Sequence, residues 1–236
     1  MTTTSVNKNG WRTQPMYSFN EVAHLSGISV STVRNWLFGY TVDERQVSPL
    51  LKASSDTTVC SFLNLIEIMV AAKFRKAEGT SYEVVKRTYE NARKLYSIEH
   101  PFASDLRLKA IGGHIVHMIK EKGSLQAIDS PEQFTLPYLV IETIEQLEFE
   151  LELASKWYPV GKKIPIVVDP YVSAGVPIIE GRGITVENIE KRFYLGKQTW
   201  EFIAKDLELQ QSVVQEVIRF APRVFHRKET VLASTL

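Results

Sequence analysis

Five polar residues in one short stretch of the N-terminal half have types and a spacing that point to a specific chemistry. They are Ser29, Ser31, Thr32, Arg34 and Asn35. Hydroxyl, guanidinium and amide groups bind base edges in the major groove of DNA. Val33, Trp36 and Leu37 fall on the other side of the same stretch, as in an amphipathic helix. The pattern predicts a helix that reads DNA bases, and a helical corner packed in a core is the alternative interpretation.

The residues just before this stretch predict a second helix and a tight turn that would position it. Ser18 and Glu21 have the spacing of a capping box at a helix N-terminus. Gly27 can adopt the positive φ of a sharp turn at little steric cost. Ala23 and Val33 supply the small contact residue and the apolar anchor that two crossing helices need. These features together predict a helix-turn-helix whose second helix enters the major groove.

The segment that follows, residues 38–56, is predicted to form two short strands and a loop beside the second helix. Short apolar runs alternate there with glycine, proline and a Ser-Ser-Asp turn. Tyr40, Arg45 and Lys52 are the side chains of this wing that could contact phosphates. A solvated loop is the alternative explanation for each of the three.

Two further helices are predicted, over residues 61–77 and 81–96. The first is apolar on most sides, and the second repeats apolar residues at spacings of three and four. This order of elements resembles the DNA-binding half of MerR-type regulators over residues 16–96. The resemblance implies that the five polar residues read the major groove and that Tyr40 and Arg45 grip the DNA backbone from the wing.

The middle region, residues 99–159, departs from that family, in which a long dimerising coiled coil would follow. Pro101 and the glycine pair 112–113 interrupt such a coil, and short β-hairpins are predicted instead. His114 and His117 would lie on opposite faces of a strand. With no third ligand nearby, the sequence predicts no metal site.

A helix over residues 131–146 and a strand pair over 149–158 are expected to end the middle region. Glu142, Glu145 and Glu148 belong to a series of acids with no base between them. Paired carboxylates can serve hydrolysis. Nothing nearby supplies a base, a nucleophile or a set of metal ligands, so the series is interpreted as a solvated acidic face.

The C-terminal module, residues 160–222, contains the string PYVSAGVPIIEGR before three predicted helices. The helices are expected over about 185–194, 200–206 and 211–221. Ala204 and Val214 keep helix-turn-helix spacing, with Glu208 where glycine is expected. The string and the helices TWEFIAKDL and SVVQEVIRFA resemble a small bacterial domain of unknown function found in VapB-type antitoxins. The resemblance implies a PIN-like ribonuclease toxin as partner, with the module dimerising or holding the toxin rather than catalysing.

The tail after the last predicted helix, residues 223–236, combines bases with an aromatic residue. Its candidate toxin-binding residues are Arg223, Phe225, Arg227 and Lys228. The resemblance implies that the toxin holds metal ions with clustered acids, and an arginine can pair bidentately with such carboxylates. A segment of this kind would fold on binding and anchor through Phe225. A frayed tail is the alternative.

The composition is that of an ordinary globular protein with no global attraction to nucleic acid. The chain has 236 residues, 44% hydrophobic and 23% charged, and a net charge of +1, so any DNA affinity must come from a local patch. The single cysteine, Cys60, excludes an internal disulfide and suits a reducing cytoplasm. We expect no signal peptide, membrane span or cofactor. No catalytic constellation appears, so an enzyme is not predicted.

The predicted fold is mainly α with small β elements. The predicted parts are a disordered arm (1–15), a MerR-like winged helix-turn-helix domain (16–98), a linking α/β region with short β-hairpins (99–159), a C-terminal three-helix, helix-turn-helix-like antitoxin domain (160–222) and a toxin-binding or flexible tail (223–236). The expected function is a cytoplasmic antitoxin, a homodimer or a larger assembly with its toxin, that neutralises a PIN-like ribonuclease and represses its own operon at operator DNA. The alternative is a stand-alone MerR-like regulator that responds to a small effector.

Overall fold

The computed structural model describes residues 10–53, 59–76, 81–104, 142–143 and 145–220, which form mainly α-helices with small antiparallel sheets. The chain divides into two compact units, Met1–Ser155 and Lys156–Leu236. The helices of the first unit are α1 (Gly10–Thr13), α2 (Phe19–Ser26), α3 (Val30–Phe38), α4 (Phe62–Lys76) and α5 (Tyr82–Tyr96), with a short 3-10 helix at Pro101–Ala103. Its strands are β1 (Tyr17–Ser18), β2 (Tyr40–Val42), β3 (Arg45–Val47), β4 (Val59–Cys60), β5 (Leu147–Glu150) and β6 (Leu153–Trp157), which crosses the unit boundary.

Local side-chain chemistry sets the ends of α2 and α3 as the sequence predicts. The Ser18 hydroxyl accepts the Glu21 N–H at 3.3 Å, and the Glu21 carboxylate accepts the Ser18 N–H at 2.7 Å, which is a capping box. Gly27 ends α2 with a φ of 71°, a value that residues with a Cβ avoid. Ser29 caps α3 by accepting the Thr32 N–H at 3.1 Å.

The hairpin of β2 and β3 follows α3 after one glycine. Gly39 has a φ of 75°, and a Cβ placed on it would collide with the carbonyl oxygen of Val47. The two central turn residues, Asp43 and Glu44, both have positive φ, as a two-residue type I′ turn requires. The predicted strand pair is therefore present.

The core of the first unit forms around α4. Nearly every side chain of this helix is buried, which agrees with its apolar sequence on all sides. Phe102, from the 3-10 helix, packs edge-on against Phe74 of α4 and Tyr89 of α5, with ring centroids 5.5 and 5.1 Å away. This aromatic cluster binds the predicted helices and the start of the middle region into one core.

One part of the predicted organisation is wrong: the disordered arm does not extend to residue 15. Gly10–Thr13 form α1, and Arg12 is 0% exposed. The Arg12 guanidinium donates to the carbonyl oxygens of Glu150, Leu153 and Ala154 at 2.8, 3.1 and 3.4 Å. The sequence could not predict this order, because the carbonyl groups that bind Arg12 lie far away in the chain.

The second unit consists of a small antiparallel sheet and three helices. Its strands are β7 (Ile166–Val167), β8 (Ile178–Ile179) and β9 (Ile184–Thr185), and its helices are α6 (Val186–Tyr194), α7 (Trp200–Asp206) and α8 (Gln211–Phe220). The helix bounds agree with the prediction within one residue. Ile189, Ile203 and Val214 are fully buried where the three helices pack. Glu208, between α7 and α8, has a φ of 52°, so it adopts the conformation for which a glycine was expected.

Several predicted features lie outside the described residues. These are the hairpin with His114 and His117, most of the helix over 131–146, and the whole tail 223–236. The strand pair expected over 149–158 is present as β5 and β6. None of the described helices is both long and apolar enough to cross a membrane.

Candidate functional site

The candidate site is the outer face of α3 together with the hairpin that follows it. Val33, Trp36 and Leu37 are buried on the inner face of α3, which fixes the helix against the core. Ser31 and Arg34 point the other way and are exposed. The helix therefore offers a polar face to solvent, on elements held by packing from behind.

The five residues predicted to read DNA bases differ in how available their side chains are to a ligand. Ser29 is committed to capping α3, and its hydroxyl also lies 2.8 Å from the hydroxyls of Ser31 and Thr32. Thr32 and Asn35 are half-buried. Arg34, the exposed charged member of the set, is the side chain best placed to reach a ligand beyond the helix.

The predicted wing contacts fall into two groups. Tyr40 and Arg45 are exposed on β2 and β3, on the same hairpin. Lys52, which was also expected to reach phosphates, instead forms an ion pair with the Glu99 carboxylate, and its backbone N–H donates to the Tyr89 hydroxyl at 3.2 Å. The ion pair offsets the charge of Lys52, so this lysine is a weaker candidate for DNA contact than Arg45.

The hairpin is anchored at its base on both sides. The N–H groups of Leu50 and Leu51 donate to the carbonyl oxygen of Trp36 at 2.9 and 3.0 Å. The Tyr82 hydroxyl donates to the carbonyl oxygen of Ser48 at 3.0 Å. These bonds fix the end of the hairpin to α3 and to α5, so the polar face and the wing are held in one arrangement.

A buried polar network in the first unit was not predicted. The Glu67 carboxylate, 0% exposed, lies 2.9 Å from Nδ1 of His100 and accepts from the Tyr89 hydroxyl at 3.3 Å. Burial lowers the pKa of His100, but the negative charges of Glu67 and Glu99 outweigh it and hold that pKa above its ordinary value. Burial, reinforced by Glu67, raises the pKa of the Tyr89 hydroxyl well beyond its ordinary value.

An acid, an imidazole and a phenol in contact could do acid–base chemistry if a substrate reached them. All three side chains are buried in the core of α4, α5 and the 3-10 helix, so the network is structural. The sequence offered one indication of it, a single acid at position 67 inside an otherwise apolar run. Its partner could not be identified, because His100 lies on a different element.

The second unit contains another unpredicted buried acid. Glu190 of α6 is 1% exposed, and neither carboxylate oxygen has a hydrogen-bond partner among the described residues. Burial and the nearby Glu187 raise its pKa to about 8, so the side chain is protonated at neutral pH. A neutral carboxylic acid avoids the large cost of an unpaired buried charge.

The other reactive groups of the described residues do not form a site. Cys60 is buried, and burial raises the pKa of its thiol to about 12, so the thiol is inert at neutral pH. Within the described ranges, no group of three or more His, Cys, Asp or Glu residues is arranged to hold a metal ion.

Comparisons with known proteins found a family match over part of the chain and a solved structure of similar fold. Residues 166–221 match a family described as "Protein of unknown function (DUF433)". A crystal structure of Rv2018 from Mycobacterium tuberculosis superimposes with a TM-score of 0.65 at 19% identity, covering 87% of this chain and 98% of that one. At this identity, the similarity shows the fold alone. No curated protein matches the sequence.

Proposed function

We propose that this chain is an autoregulatory antitoxin that binds operator DNA through its first unit and a nuclease toxin through its C-terminal part. The observation that carries the DNA-binding half is the arrangement of α2, the Gly27 turn, α3 and the hairpin. It presents the exposed polar face of α3 beside Tyr40 and Arg45. Because the net charge of the chain is only +1, the chain needs such a local surface to bind DNA.

In this proposal α2 and α3 form a winged helix-turn-helix, and α3 enters the major groove. Arg34 donates to a base edge, and Ser31 and Asn35 flank it. Tyr40 and Arg45 contact the phosphate backbone from the hairpin. Binding as a dimer would place two copies of α3 on the two halves of a palindromic operator.

Replacing Arg34 by alanine is expected to weaken operator binding by about 1–3 kcal/mol, because a bidentate contact to a base edge is lost. The measurement is fluorescence anisotropy with a labelled duplex from the chain's own promoter, at fixed salt. Arg34→Lys should lose most of the same affinity, since an ammonium group lacks the guanidinium fork.

Lys163→Ala is the matched control, because it also removes one exposed positive charge but lies in the loop before β7, on neither α3, the hairpin nor α8. It should leave the affinity nearly unchanged. An Arg34→Ala protein that binds specific and random duplexes less well by the same factor would make Arg34 a phosphate contact. Unaltered affinity for both duplexes would remove α3 from the interface.

The toxin-binding half of the proposal rests on two features of the sequence. Residues 160–222 resemble the small domain found in VapB-type antitoxins, and the tail carries several bases. The tail lies outside the described residues. Arg223, Arg227 and Lys228 surround Phe225 in the sequence. In the proposal, an arginine of this set pairs with the acids that hold the metal ions of a PIN-like nuclease, and Phe225 anchors the segment.

Deleting residues 223–236 is therefore expected to abolish inhibition of the nuclease while leaving DNA affinity within about twofold. The assay is RNA cleavage by the product of the neighbouring reading frame, with full-length or truncated chain added. Full inhibition by the truncated chain would contradict the role of the tail. If the full-length chain does not copurify with that product, the stand-alone regulator becomes the better explanation.

A further inference from the structure

The backbone of α2, its turn and α3 recurs in the second unit as α7, its turn and α8. Each residue of the second motif lies the same number of sequence positions after its counterpart in the first. Corresponding residues are Ser18 and Thr199 as caps, Val22 and Ile203 in the core, Ala23 and Ala204 at the helix contact, Ile28 and Leu209 after the turn, and Val33 and Val214 as buried anchors. Both caps accept the N–H group three residues on, at 3.3 Å in each case.

The two turns have the same hydrogen bonds. The N–H of Ile28 donates to the carbonyl oxygen of Ala23 at 3.1 Å, and that of Leu209 donates to Ala204 at 2.8 Å. The left-handed residue before each of them also donates to the carbonyl three residues earlier, at 3.3 Å in both turns. Glu208 keeps this geometry with a φ of 52° although it carries a Cβ. The packing of α7 and α8 therefore imposes the turn without help from a glycine.

The outer face of α8 carries groups that can read base edges. Gln211, Ser212 and Arg219 are exposed and Gln215 is half-buried, whereas Val217 and the other anchors face the core. Gln215 occupies the position that corresponds to Arg34 in α3. Glutamine can bind N6 and N7 of adenine together, and serine can bond to several bases.

The charged residues beside this face of α8 would not repel DNA. Three of its acids are each paired with a base: Glu208 with Arg182, Asp206 with Arg192 and Glu216 with Arg219. Glu201 lies in the first turn of α7, where a carboxylate suits the helix dipole. Lys197 and Lys205, just before and near the end of α7, have no carboxylate partner among the described residues and are exposed.

We propose that α8 is a second DNA-reading helix, so that one chain recognises two separate blocks of base sequence in duplex DNA. Gln211 and Gln215 read adenine in the block bound by the second unit, and Lys197 and Lys205 contact its phosphates. This assignment goes beyond the proposed function, which places DNA reading in the first unit alone. It gives the second unit a nucleic-acid role that is separate from any contact between the tail and a toxin.

The test is selection of binding sites from random-sequence duplex DNA by the full-length chain, followed by sequencing. Wild type should enrich two different blocks of bases, one read by α3 and one read by α8, and a dimer should enrich a second copy of each. The double variant Gln211→Ala, Gln215→Ala should keep the block read by α3 and lose the other, with affinity for the bipartite site falling about 30-fold or more because two base contacts are lost. Arg34→Ala should show the converse pattern.

A change of specificity keeps the test decisive if the double variant folds poorly. Gln215→Arg keeps a long polar side chain and should shift one position of the second block from adenine to guanine, because arginine binds O6 and N7 of guanine. Enrichment of α3-dependent blocks alone, single or repeated as a palindrome, that are lost in Arg34→Ala and unchanged by both α8 variants would overturn the role of α8 and leave the proposed function intact. Enrichment of only the α8-dependent block would instead contradict the role of α3.

Discussion

Replacing Glu67 by alanine is expected to lower the free energy of unfolding of the first unit by about 3–5 kcal/mol. The carboxylate is fully buried beside His100 and Tyr89, so its removal leaves the buried His100 ring nitrogen without its partner and takes one acceptor from the Tyr89 hydroxyl. Removal of the Glu67 side chain also leaves a cavity beside α4 in the core of the first unit. Urea unfolding followed by circular dichroism measures the loss, and amide hydrogen exchange of peptides from each unit assigns it.

The control is a double substitution, Glu67→Met with His100→Phe, which replaces both members of the pair by apolar groups. An apolar pair needs no desolvation of charge, so this variant should be clearly more stable than Glu67→Ala. If Glu67→Ala unfolds within about 1 kcal/mol of wild type, the carboxylate does not hold the core together.

The pair also gives the first unit a pH dependence with a definite sign. Because the folded pKa of His100 is raised above 6.5, the folded state binds the proton more tightly than the unfolded state. This contribution is complete below pH 6.5 and is lost as the pH rises through the raised pKa. In Glu67→Gln the negative charge of Glu67 is gone and burial dominates, so stability should instead fall as the pH drops below 6.5. Urea unfolding on both sides of pH 6.5 should show these opposite slopes. Wild-type stability should fall as the pH rises above 6.5, and Glu67→Gln stability should fall as the pH drops below it.

Replacing Arg12 by methionine is expected to destabilise the hairpin of β5 and β6 by about 3 kcal/mol, or roughly a hundredfold in amide protection. The guanidinium bonds three carbonyl groups of this hairpin, including Glu150 and Leu153 on either side of its turn. The two turn residues, Leu151 and Glu152, both have positive φ, which costs energy in residues other than glycine. Arg12 thus stabilises a turn whose own residues disfavour it.

Two further variants separate the arginine's role from a general loss of packing. Arg12→Lys keeps the charge but bonds as a compact ammonium, so it should recover only part of the protection. Adding Leu151→Asn and Glu152→Gly to Arg12→Met should also recover part of it, because Asn-Gly suits this turn type. Exchange at residues 147–155 that is the same in wild type and Arg12→Met would show that the hairpin forms without the arginine.

The helix bounds were predictable because their causes lie within a few residues of each other. Ser18 with Glu21, Ser29 with Thr32, and the apolar run of α4 each act inside one or two helical turns. The helices of the second unit were predictable for the same reason. The polar face of α3 was also predictable, because a helix that buries Val33, Trp36 and Leu37 must turn Ser31 and Arg34 outward.

The sequence by itself therefore determined the longer helices, their caps and the surface that we propose for DNA. The tertiary structure alone decided which charged groups are buried and what they bind. Arg12 reaches carbonyls of β5 and β6, Glu67 pairs with a histidine on another element, and Lys52 is held by Glu99 rather than left free. Such pairs join positions far apart in the chain, and no local pattern encodes the distance between them, so only the packed fold could reveal them.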